Sequence, residues 1–179
     1  MKYLKLFENF EDYNPYDLMV MFPDERLKLF IEEIRKPKSK QNLNLVRDLI
    51  NLDTINMQDN DGNTPLRNSV FHGKTEIVQM LIDAGVDVNM RDGMGATCLH
   101  DAVYLGKPEI ARMLIGAGAD LNVQDKHGNV PLHWAADYGE VKIAKILIDA
   151  GARKDIPDNE GRLPYDSTTN ERMKKLLKP

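Results

Sequence analysis

Gly62, Gly95, Gly128 and Gly161 stand 33 residues apart, and the same step separates Gly73, Gly106 and Gly139, and again Gly85, Gly118 and Gly151. An aspartate column (Asp59, Asp92, Asp125, Asp158) and two apolar columns (Ile77, Ile110, Ile143; Leu81, Leu114, Leu147) keep that period. One period held over so many columns marks a chain built from copies of one supersecondary unit. Such a unit cannot bury its apolar face alone, so the copies must stack on one another.

Within one copy the residues read as two short helices and a loop. Thr64 precedes Pro65: the hydroxyl suits a helix start, and proline's missing N–H is harmless at the first helical position. Leu66, Ser69 and Val70 recur at i, i+3 and i+4 and predict one apolar or small face. Gly73 follows where a helix ends in the left-handed conformation. Ile77, Val78, Leu81 and Ile82 mark the inward face of a second helix, which Gly85 stops. The run VDVNMRDGMG then predicts an extended loop with a glycine-containing turn at its tip. Ser69, Ala102 and Ala135 share one column, and their small size lets neighbouring copies approach.

A 33-residue helix–turn–helix unit with a hairpin-like loop and a T-P-L-H-x-A signature resembles the ankyrin repeat. The chain shows TPLRNS at 64–69, TCLHDA at 97–102 and VPLHWA at 130–135, and GVDVN at 85–89 and GADLN at 118–122 close their units. The resemblance implies an all-α repeat solenoid with full repeats at 57–91, 92–124 and 125–157. Residues 158–179 match only in their first half and are expected to form a C-terminal capping half-repeat, with Met173, Leu176 and Leu177 packed on the third repeat. Arg67 replaces the family's histidine, Cys98 its proline and Val130 its capping threonine. Each departure is expected to weaken its own turn by roughly 1 kcal/mol, the scale of a lost cap.

The N-terminal third is less regular. In 23–36, Leu27, Phe30, Ile31 and Ile34 fall at i, i+3, i+4 and i+7 and predict an amphipathic helix. In 43–56, Leu45, Val46, Leu49 and Ile50 align with a second repeat helix, and Asn56 stands 33 residues before Asn89. Residues 23–56 therefore read as a degenerate N-capping repeat, with the lysine-rich run KPKSKQN as a solvated loop between its helices. Residues 1–22, with Leu4, Leu6, Phe7, Tyr13, Tyr16, Leu18, Met19 and Val20, form an extension that is not repeat-like. Part of it is expected to fold back over the end of the stack; the other reading is a motif that recruits a second protein.

Composition narrows the function classes. The 24 Lys and Arg nearly balance the 28 Asp and Glu, and a net charge of −4 predicts neither a nucleic-acid nor a membrane partner. The lone cysteine, Cys98, cannot form an intrachain disulfide and suits a reducing compartment. The opening MKYLKLFENFEDY has no sustained apolar stretch, so no secretory signal is expected. A cytoplasmic monomer is the expectation, with a host cell as the setting if the protein is a viral or bacterial effector.

No catalytic, cofactor or metal site is expected. His100 and His133 share a column, a repeat step rather than a metal-ligand spacing, and the resemblance implies that they fix the loops by hydrogen bonding. His72 and His127 are expected on the outer face. Cys98 reads as a small apolar substitute for proline. The aspartate column reads as turn acceptors beside Gly turns, one per unit, rather than ligands converging on a cation. Some ankyrin repeats are hydroxylated on asparagine; Asn89, with Leu81 eight residues before it, fits that spacing, and Asn122 nearly does.

The resemblance implies that the protein binds another protein on a concave face made of loop tips and first-helix ends. On this sequence the tip residues include Arg91, Met94, Gln124, Lys126 and His127, and the helix ends are Phe71 with His72, Tyr104 with Leu105, and Asp137 with Tyr138. Phe71 and Tyr104 share a column and Tyr138 is one position over. Aromatic anchors ringed by polar tips are what a protein-binding patch needs. Trp134 is expected in the core or at its edge. A regulatory or inhibitory subunit, or an effector recruiting a host protein through residues 1–22, is the alternative expectation.

Overall fold

The computed structural model describes residues 15–51 and 53–178, apart from the Asp17 side chain. All regular secondary structure among them is helical, and the fold class is an all-α repeat solenoid. The chain divides into two compact units, with the boundary between Val86 and Asp87.

The first unit contains α1 (Pro15–Met19), α2 (Pro23–Arg35), a 3-10 turn (Lys38–Lys40), α3 (Leu43–Ile50), α4 (Pro65–Phe71) and α5 (Thr75–Asp83). Helix α2 packs on α3 and α4, while α5 packs on α3 and α4. Leu27, Phe30, Ile31 and Ile34 are all buried, as their spacing predicts, but Leu29 and Glu33 are buried too, so the apolar face is wider than one stripe. Thr64 Oγ1 accepts from the Arg67 amide at 3.1 Å and caps α4. Leu66, Ser69 and Val70 are buried, and Gly73 takes φ +63° at the end of α4.

The lysine-rich loop is held more firmly than its composition suggests. Glu33, fully buried, accepts from the Asn42 amide and from Lys36 Nζ, each at 2.5 Å. Gln41 Nε2 donates to the Ile34 carbonyl and to the Glu33 carbonyl, which also accepts from the Lys36 amide, so it helps to satisfy the acceptors at the end of α2. Asn42 Oδ1 then caps α3 by accepting from the Asn44 and Leu45 amides. Of the N-terminal extension, residues 1–14 lie outside the described residues. Helix α1 lies against α3 with Leu18 fully buried, and Arg26 Nη1 donates to the Met21 carbonyl at 3.0 Å.

The second unit contains α6 (Cys98–Tyr104), α7 (Pro108–Gly116), α8 (Pro131–Asp137), α9 (Val141–Asp149) and α10 (Glu171–Leu177). The pairs α6–α7 and α8–α9 pack internally and on each other, α6 on α8 and α7 on α9. Ala102 and Ala135 are fully buried, which permits the close approach of α6 and α8. Ile110, Leu114, Ile143 and Leu147 fill the second helices' inner face, and Cys98 and Val130 are buried as apolar residues. Helix α10 packs on α9 with Met173 and Leu177 buried and Leu176 half-buried.

Candidate interaction surface

The loop tips are built by the aspartate column. Asp92 Oδ1 accepts from the Met94 and Ala96 amides (both 2.8 Å), Asp125 Oδ1 from His127 and Asn129 (2.8 and 2.9 Å), and Asp158 Oδ1 from Glu160 and Arg162 (2.8 and 2.9 Å). Asp59 does the same for Asp61 and Asn63 in the first unit. One carboxylate oxygen taking two N–H groups closes each turn, which is the turn-acceptor role expected of the column.

In the second unit consecutive tips are joined into a rail. The Lys126 amide donates to the Met94 carbonyl (2.9 Å) and the Asn159 amide to the His127 carbonyl (3.0 Å). Arg91 Nε donates to Gly95 O (3.0 Å) and its Nη2 to Gln124 O (2.5 Å). Gln124 Nε2 repeats the pattern one unit later, donating to Gly128 O and Pro157 O, both at 3.0 Å. The side chains of Arg91 and Gln124 thus stiffen the rail, whereas Met94, Lys126 and His127 point their side chains into solvent.

The histidine and asparagine columns tie the base of the rail. His100 Nδ1 accepts from the Thr97 amide (3.1 Å), so the ring proton sits on Nε2, which donates to the Asn129 carbonyl of the next repeat (3.2 Å). His133 makes the same bridge from the Val130 amide to the Arg162 carbonyl (3.2 and 3.0 Å). Burial lowers the His100 pKa, which keeps the imidazole in this neutral bridging form. Asn89 Oδ1 accepts from the Asp120 amide (2.8 Å) and Asn122 Oδ1 from the Arg153 amide (2.9 Å), so both asparagine side chains staple successive units.

An aromatic patch rises beside the rail. Tyr104, the last residue of α6, and Tyr138, just past α8, are 50% and 53% exposed, and Met94 is 51% exposed. Trp134, one helical turn before Tyr138, is half-buried beneath them, with ring centroids 6.0 Å from Tyr104 and 6.1 Å from Tyr138. Its Nε1 donates to Asp125 Oδ2 at 3.0 Å, and its ring meets the buried His100 at 5.4 Å. The residue expected in the core or at its edge is therefore the half-buried pedestal of the exposed pair. Its i, i+4 spacing to Tyr138 was the signal in the sequence that connects it to the patch. Leu105 is half-buried at the α6 C-cap.

Beside Tyr138 a polar hollow of about 450 Å³ is lined by Asp137, Arg162, Asp166 and the hydroxyl-bearing run Ser167, Thr168 and Thr169. Partial burial raises the Asp137 pKa, and the nearby Arg162 opposes that rise. In the first unit Phe71 is 60% exposed, and its ring meets His72 edge-on at 5.4 Å. They border a separate groove with Arg35, Asn63, Arg67 and Asn68.

Helix pairs whose turn, histidine and asparagine columns are all spent on internal bonds, while aromatic side chains stay outside, define a repeat protein that presents a rigid surface. The chain matches the model for ankyrin repeats in three copies over residues 38–125 and the model for a single ankyrin repeat over residues 127–159. The chain belongs to the ankyrin-repeat family, whose repeats are generally protein–protein interaction modules. A search of the curated proteins finds no match to it.

Proposed function

We propose that this chain is a non-enzymatic scaffold or adaptor that binds a partner protein, with Tyr104 and Tyr138 as anchors. The observation that carries the reading is the half-exposed Tyr104–Tyr138 pair standing on Trp134, itself pinned to the turn carboxylate of Asp125. Large rings held in place lose little conformational freedom on binding, so more of their contact energy appears as affinity. Met94, Lys126 and His127 stand exposed on the rail and supply a mixed rim, and Asp137 lines the hollow beside Tyr138. Phe71 and His72 form a second contact region, on the first unit. In this reading the protein acts as a monomer inside the cell and needs no cofactor.

The test is affinity capture with the full chain as bait, followed by mass spectrometry and direct titration of each recovered protein against wild type and Tyr104→Ala/Tyr138→Ala. A partner whose affinity falls at least tenfold in the double variant supports the anchor role, since hot-spot truncations cost about 1.4 kcal/mol or more. Partners that bind both proteins equally contradict it.

A further inference from the structure

The groove beside Phe71 has a chemistry of its own. It measures about 380 Å³, and its lining offers two guanidinium groups, an imidazole, two amides and a phenyl ring, without one carboxylate. That is unlike the chain as a whole, which carries 28 Asp and Glu against 24 Lys and Arg. Arg35 stands exposed in the last turn of α2 and makes no ion pair with any described residue. Phe71, at 60% exposure, supplies an apolar wall. The field in the groove is positive: besides partial burial, Arg35 and Lys74 both lower the His72 pKa.

Resting on the binding-module reading above, we propose that this groove receives an acidic side chain of the partner protein, its carboxylate on Arg35 and His72 and a neighbouring apolar residue on Phe71. A guanidinium without an ion-pair partner favours a carboxylate in a two-point, charge-assisted bond. The adjoining ring rewards an apolar neighbour in the same segment. A basic ligand would meet Arg35 and Lys74 as like charges and is disfavoured.

Random peptides displayed on phage are panned on the full chain, and the selected sequences are titrated as fluorescein-labelled peptides against wild type, Arg35→Glu, Arg35→Lys, Phe71→Ala and Tyr104→Ala/Tyr138→Ala. Thermal melts confirm that each variant is folded. The proposal expects a class of peptides with Asp or Glu beside an apolar residue. Arg35→Glu should weaken that class about tenfold or more and Arg35→Lys much less, with a marked dependence on salt. Binding should also raise the His72 pKa measured by NMR, because a carboxylate now faces the ring. Peptides that lack an acid, or that ignore Arg35→Glu, overturn the proposal. If those peptides still fail on Tyr104→Ala/Tyr138→Ala, the binding-module reading stands and only the acidic groove falls. Selection of no peptide at all counts against both.

Discussion

The rings of Tyr104 and Tyr138 meet edge to face with centroids 4.9 Å apart and planes 78° from parallel, while each side chain keeps about half its surface exposed. Such a pair contributes to folding and still leaves one face for a partner. Tyr104→Ala and Tyr138→Ala are each expected to lower stability by about 1 kcal/mol, with a coupling of about 0.5–1.5 kcal/mol in a double-mutant cycle. Urea unfolding measures both. A loss above about 2 kcal/mol for either residue would place it in the core and remove it as an anchor.

Glu33 holds the turn between α2 and α3 from a fully buried position. Removing its carboxylate takes a bond from the Asn42 amide and another from the Lys36 ammonium. Glu33→Ala is expected to cost about 3 kcal/mol, the range for breaking a buried pair. Lys36→Met should cost less, because Lys36 is 31% exposed and partly solvated already. Equal costs in urea unfolding would show that the ion pair, not the amide bond, carries the effect.

The His100 bridge makes stability depend on pH with a fixed sign. Burial is the main cause that depresses its folded pKa below 6.5; the Asn129 carbonyl and the Asp125 and Asp92 carboxylates oppose it. The unfolded chain therefore takes up the proton first as pH falls through 6.5. The contribution is complete above that pH, declines below it and levels off under the folded pKa. Thermal melts between about pH 7.5 and about pH 5.5 should show a steeper fall for wild type than for His100→Asn. All other titrating groups are common to the two proteins. Identical slopes would contradict the neutral bridge.

Two glycines of similar conformation separate backbone strain from crowding. Gly85 (φ +80°) has open space where a Cβ would stand, whereas a Cβ on Gly128 (φ +82°) would lie 2.6 Å from the Asn159 amide nitrogen. Gly85→Ala is expected to cost about 1 kcal/mol, the left-handed penalty alone. Gly128→Ala should cost at least twice as much, because it also pushes apart two tips of the rail. Equal losses in chemical unfolding would mean the tips are not held together there.

The period of the sequence exposed the repeat because every column is set by one local demand: a turn acceptor, a helix start, a small residue at a helix crossing. Asp125, Ala135 and Leu114 were legible for that reason. The role of His100 in bridging to the next loop came from family resemblance, and its bonds agree with it. Glu33 was not legible, since a glutamate between Glu32 and Ile34 on an amphipathic helix reads as solvated until the following loop closes over it. Arg91 and Gln124 looked like surface tips because the bond from one unit's side chain to the next unit's carbonyl spans 33 residues. Trp134 is expected in the core or at its edge, because the family resemblance implies an aliphatic residue facing a neighbouring helix there, but only the three-dimensional arrangement sets it under Tyr104. The reading of residues 1–22 as a cap or a recruiting motif rests largely on residues 1–14, which lie outside the described residues.

The most direct test of the central claim is the affinity of a captured partner, measured by calorimetry, for wild type and for Tyr104→Ala/Tyr138→Ala at matched folding. The account expects a loss of about tenfold or more, with the variant still cooperatively folded. An unchanged affinity in a folded double variant would contradict the assignment of this aromatic pair as the protein's binding anchor.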